Sequence, residues 1–144
     1  MGTNEATKAR LAAAREALAG IAEKREEDSA AHELEGLELE VRCERELGKR
    51  GDAYELVDCG AEGWIVVKRV EGGAVLYKRF TGAMAGGKDP TQEDLDLYVT
   101  PCIAIPEREA VRAIFERRPH LKLRCANALT TLFGAKEETT RSKH

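Results

Sequence analysis

The chain has 144 residues, of which 42% are hydrophobic, 34% charged and 5% aromatic, and its 23 Lys and Arg against 26 Asp and Glu leave a formal net charge of −3. That length predicts one domain whose core is built from Leu, Val, Ile and Ala rather than from aromatic rings. No run of about 18 apolar residues occurs, no apolar stretch follows a positive charge at the start, and Ala6 stands where a myristoylation signal needs Ser or Thr; a soluble cytoplasmic protein without a membrane span is expected.

From Asn4 to Leu47 there is no proline, and Ala, Glu, Leu, Arg and Lys dominate, so the first third reads as helix, with Thr3 or Asn4 able to cap its start. Leu11, Leu18, Ile21 and Ala22 form one apolar stripe. Leu34, Leu37 and Val41, with Leu47 beyond, form another in a different heptad phase. The polar stretch from Glu23 to Ser29 between them, with Gly20 and Gly36, predicts two helical segments and a solvated joint. A continuous helix would instead be a rod of about 65 Å, an interaction arm.

Residues 54–80 change to strand chemistry: Tyr54–Asp58, then Trp64–Val70, a turn at Glu71-Gly72-Gly73, and Ala74–Phe80 as a return strand. This predicts an antiparallel meander of two or three strands that needs a helix over its apolar face, supplied by the Leu34, Leu37 and Val41 stripe or by the C-terminal helices. A Gly-rich loop follows from Thr81 to Pro90. Thr91 and Asp94 have the spacing of a capping box that opens a helix through about Val99, and Pro101 ends it. Cys102–Ile105 reads as a short extended piece stopped by Pro106. A helix over 107–117 should bury Ala110, Val111, Ile114 and Phe115; one over about 120–133 should bury Leu121, Cys125, Ala128, Leu129 and Leu132 and end at Gly134. The fold class is therefore α+β: a helical N-terminal arm (1–33), a core domain with a small β-meander and C-terminal helices (34–134), and a polar, frayed tail (135–144).

Catalytic signatures are thin. Gly82–Asp89 has the glycine and lysine spacing of a phosphate-binding loop, but Asp89 replaces the required Ser or Thr with a negative charge and Pro90 disturbs the helix start, so a linker is expected. Cys43, Cys59, Cys102 and Cys125 are 16, 43 and 23 residues apart, without a C-x-x-C, and read as reduced thiols that pack as small hydrophobes. None of His32, His120 and His144 lies in a local pattern with a nucleophile. A small enzyme would need Cys59 or Cys125 within hydrogen-bond reach of His32 or His120. No enzyme, metal or cofactor is expected.

Charge is unevenly spread. Residues 21–40 carry eight acidic and two basic side chains, and residues 108–124 carry six basic (Arg108, Arg112, Arg117, Arg118, Lys122, Arg124) and two acidic ones. The asymmetry suits partner steering, or contact between the acidic arm and the basic helices of the same chain or a neighbouring copy. A pI of about 5.7 and basic segments without interleaved aromatics argue against nucleic acid.

The last fifty residues carry an order of features: Tyr98-Val99-Thr100-Pro101-Cys102-Ile103-Ala104-Ile105-Pro106, a helix, Arg118-Pro119-His120-Leu121, then Cys125-Ala126-Asn127-Ala128-Leu129 and Leu132-Phe133-Gly134. Together with the upstream charged helix and the Ile65–Arg69 and Tyr77–Phe80 runs, they resemble bacteriophage tail assembly chaperones over about residues 34–134. The arm from Thr3 to Asp28 and the Gly-rich loop lie outside the likeness. The resemblance implies a non-enzymatic protein of the host cytoplasm that holds the tape measure protein until tail tube subunits polymerise around it, and then leaves. Masking apolar helices calls for an apolar stripe flanked by charge, for which the candidates are Leu34, Leu37 and Val41 together with the basic Arg117, Arg118, Lys122 and Arg124. The alternative is a structural tail or head component retained in the virion. Self-association is a further expectation.

Overall fold

The computed structural model describes the backbone of residues 2–142 and the side chains of residues 4–134. In order, the elements are α1 (Gly2–Glu46), β1 (Tyr54–Asp58), β2 (Trp64–Lys68), α2 (Gly73–Ala83), α3 (Gln92–Val99), β3 (Ile103–Ile105), α4 (Arg108–Arg117) and α5 (His120–Ser142), with 3₁₀ turns at Gly60–Glu62 and Thr100–Cys102. The architecture is α+β. The chain divides into two compact units, residues 1–37 and 38–144.

The first unit is helix from Gly2 onward, and every described side chain from Asn4 to Ala31 is exposed. The expected break between two helical segments is absent: α1 runs unbroken through Glu23–Ser29 and past Gly20 and Gly36. Each glycine costs a helix only about 1 kcal/mol, and a polar girdle of Glu, Lys and Arg interrupts the apolar pattern without removing any backbone hydrogen bond. Only proline would have done that, and there is none.

The second unit is built on a three-stranded antiparallel sheet of order β1-β2-β3. Tyr54 pairs with Lys68 and Asp58 with Trp64, while Val66 faces Ile105 and Val67 faces Ile103 across a bulge. Alternation along the strands sends side chains to two faces. Val57, Ile65 and Val67 enter a large core with Phe80, Leu95, Tyr98, Val111, Leu121, Cys125 and Leu129 from α2 to α5. Leu56 and Val66 enter a smaller one that Leu39 and Cys43 of α1 close with Tyr54 and Leu47. Burial on both sides explains why Ile65-Val66-Val67 is continuously apolar.

The return strand expected at Ala74–Phe80 is a helix instead, and the third strand is Ile103–Ile105. The β-branched and aromatic composition suggested a strand. The spacing of Leu76, Tyr77 and Phe80 is helical, however, and it turns all three toward the large core. Gly72, at φ 78°, makes the turn into α2. At Gly73 a Cβ would lie 2.6 Å from Cζ of Phe133, so only a glycine lets α2 approach that ring. Phe80 stacks on Tyr98 with centroids 4.4 Å apart, and Tyr77 lies 5.8 Å from Phe133.

The capping box is present as expected: Asp94 N–H donates to Thr91 Oγ1 and Thr91 N–H donates to Asp94 Oδ2, each at 3.1 Å. In α4, Val111 and Ile114 are buried and Phe115 half-buried, whereas Ala110 is exposed. In α5, Leu121, Cys125, Leu129 and Leu132 are buried and Ala128 half-buried. The expected C-cap at Gly134 is overturned, because α5 continues to Ser142. Residues 135–137 (Ala-Lys-Glu) are good helix formers that carry the ladder onward. Side chains of the expected polar tail, and His144 altogether, lie outside the described residues.

Candidate partner-binding surfaces

Leu34, Leu37 and Val41 are 57%, 59% and 70% exposed. They are not the helical cover of the sheet. On one face that role falls to Leu39 and Cys43, which a helix turns away from Val41 because residues two apart point in different directions, and on the other to the C-terminal helices, as expected. Tyr54 fixes this placement by donating its hydroxyl to the backbone oxygen of Glu40 at 3.1 Å, and Arg50 adds ion pairs to Glu55 at 2.6 Å and Glu40 at 3.4 Å. Burial, with the Glu44 carboxylate nearby, pushes the Tyr54 phenol up to about 12.

The basic candidates are spent largely on the protein itself. Arg117 forms a two-pronged pair with Glu62 (Nη2–Oε2 2.7 Å, Nε–Oε1 3.1 Å), and Arg118 approaches the same carboxylate at 3.7 Å. The hydrogen bond from Arg117 holds the Glu62 carboxyl below the ordinary carboxylate range. Lys122 bridges to Asp96 at 2.7 Å and lies 5.7 Å from the centroid of Phe115. Arg124 donates to the backbone oxygen of Asp58 at 2.7 Å. Along the sequence these residues form a run of positive charge. The fold sends Arg117 and Arg118 to the 3₁₀ turn after β1, Arg124 to the end of β1, and Lys122 to α3. The basic pair Lys68-Arg69 divides similarly: Arg69 donates to the backbone oxygens of Asp52 and Leu132, each at 2.6 Å, and sits 5.0 Å from the Phe133 ring centroid.

Beside Lys122 lies a groove of about 510 Å³ that sequence reasoning did not find. Ile103, Val111 and Phe115 give it an apolar floor; Arg108, Arg112 and Lys122 stand around it with Asp96, Glu109 and Glu116. An open groove with an apolar floor and mixed charge suits a side chain or short amphipathic element of another protein. The only trace in the sequence was the Val111 and Phe115 spacing, which reads equally well as core. The closure by β3 and α3 is non-local.

The four cysteines are free thiols, all buried. Desolvation pushes Cys102 up to about 11 and Cys125 up to about 12, and also raises Cys43 and Cys59. These shifts oppose the thiolate that nucleophilic chemistry needs. Cys59 donates to the backbone oxygen of Val57 at 3.5 Å, and His120 is exposed at the start of α5. The Gly-rich segment follows helix α2 rather than a strand, and α3 begins only at Gln92, so the phosphate-loop architecture is not formed. Among the described residues no group of three His, Cys, Asp or Glu side chains could hold a metal ion, and no helix is long and apolar enough to cross a membrane.

No protein-family model matches the chain, and neither a curated protein nor a solved structure matches it.

Proposed function

We propose that this chain is a non-enzymatic phage or prophage tail assembly chaperone that takes up tape measure and tail tube proteins in the host cytoplasm. The observation that carries the reading is the solvent exposure of Leu34, Leu37 and Val41 on a helix whose other side chains, Leu39 and Cys43, already satisfy the core. Large apolar side chains left open at helical spacing are what an apolar helical segment of a client would cover. The groove floored by Ile103, Val111 and Phe115 offers a second contact. Arg117, Arg118, Lys122 and Arg124 each already contact an oxygen of the same domain, and Arg117 and Arg118 stay half-exposed beside it.

Co-expression with the tape measure and tail tube proteins of the same gene cluster tests this. The expected result is a co-purifying complex and more soluble tape measure protein, both lost in a Leu34→Ser, Leu37→Ser, Val41→Ser variant. No association and no gain in solubility would refute it. Mass spectrometry of purified virions separates a chaperone, which is absent from the particle, from a retained tail or head component, which is present at stoichiometric level.

A further inference from the structure

Two apolar stripes on the first unit differ in the charges that border them. On a helix, positions three and four apart are surface neighbours. Around Leu11, Leu18, Ile21 and Ala22, the charged residues at those offsets are Lys8, Arg15, Lys24, Arg25 and Glu26, four of the five basic. Around Ala30, Leu34 and Leu37, they are Glu26, Glu27, Glu33, Glu38 and Glu40, all acidic, of which Glu40 also pairs with Arg50; Val41, which continues the stripe, adds Glu44 and Arg45. The large side chains of both stripes are open to solvent: Leu11, Leu18 and Ile21 are 51%, 65% and 48% exposed, beside 57% and 59% for Leu34 and Leu37.

We infer that copies of this chain associate through α1, the basic-bordered Leu11, Leu18 and Ile21 stripe of one copy docking on the acid-bordered Ala30, Leu34 and Leu37 stripe of the next. The stripes extend over about three and about two helical turns, about 15 Å and about 10 Å, so the shorter one fits within the longer. Opposite charges along the two borders select this pairing over like with like, as flanking charges do between coiled-coil partners. At 100° per residue the stripes are centred about 140° apart around the helix, so one copy engages two neighbours rather than one partner twice. The contact is therefore head-to-tail, and such contacts propagate or close into rings instead of stopping at a two-fold dimer. Each stripe is short, so the association is weak and sensitive to salt. It is a property of the free protein and stands whether or not a tail protein also uses the Leu34 and Leu37 face.

Sedimentation velocity on the full chain, over a range of protein concentration and at about 0.05 M and about 1 M NaCl, reads this directly. The average mass should climb past that of a dimer at low salt and fall toward the monomer at high salt. Reversing the acidic border (Glu26→Lys, Glu27→Lys, Glu33→Lys) or the basic one (Lys8→Glu, Arg15→Glu, Lys24→Glu) should weaken self-association by about tenfold or more. Mixing the two variants should restore it, because each then offers the border that the other lacks. Leu18→Ala and Leu37→Ala, which keep the best helix former, should weaken it without loss of helical circular dichroism. A wild-type monomer at every concentration, border variants that associate like wild type, or a mixture that stays monomeric would each overturn the inference.

Discussion

Alkaline pH should destabilise this protein, and the reason lies in its thiols. Cys102 and Cys125 are fully buried, and desolvation holds their thiols at about 11 and about 12 against an ordinary value of 9.0. Their folded-state pKa is raised, so the neutral form is favoured by folding. Stability is then fully present below the unfolded value and is lost as pH rises toward the folded one. At pH 10 an unfolded thiol is mostly ionised while both folded thiols keep their protons. One pKa unit is worth about 1.4 kcal/mol, so the two groups together cost about 3 kcal/mol between pH 8 and 10. Cys43 and Cys59 are raised by the same burial and act in the same direction. Urea unfolding at pH 7, 8.5 and 10 in the presence of reductant measures the effect. A loss of that size moves the urea midpoint by roughly 1–3 M, given slopes of about 1–3 kcal/mol per M. Cys125→Ala should reduce the pH dependence in part, since one of the two strongly shifted thiols is gone while Cys102, Cys43 and Cys59 remain. A midpoint unchanged between pH 7 and 10 would refute the argument and reopen these cysteines as solvent-reachable thiolates.

Three further outcomes follow from the packing. Leu129→Ala, in the large core at zero exposure, should cost about 2–5 kcal/mol by urea titration, whereas Leu34→Ala and Leu37→Ala should each stay within about 0.5 kcal/mol; equal losses would mean that the stripe is core. Arg69→Ala removes two charged hydrogen bonds and the contact with Phe133, and should lower stability by about 2–4 kcal/mol, while Lys78→Ala on the exposed side of α2 should not. Gly73→Ala should be destabilising by about 1–3 kcal/mol despite the better helix propensity of alanine, because the new methyl group collides with Phe133; pairing it with Phe133→Leu should recover part of the loss.

The sequence was most informative where structure is local. Thr91 and Asp94 cap α3 because a capping box involves only four consecutive residues, and the Val111 and Ile114 spacing marks the buried face of α4 because helical period is a property of the chain itself. Composition likewise sufficed for a helical first third, for a strand at Tyr54–Asp58, for one expected over Trp64–Val70 that ends at Lys68, and for an extended piece expected over Cys102–Ile105 whose strand is Ile103–Ile105. Tertiary structure decided the rest. Ile103–Ile105 became the third strand, and Ala74–Phe80 did not, because strand pairing is settled across a long chain separation by which hydrogen-bonding edge is available beside β2. Leu39 and Cys43 became core while Leu34, Leu37 and Val41 stayed open, although an amphipathic helix carries apolar residues for either use. Arg117, Arg118 and Arg124 read as one basic run, but each found an oxygen more than fifty residues away, on Glu62 or Asp58. Periodicity and capping are written into neighbouring residues, whereas the partner of a charge or of a strand edge exists only once distant segments have met.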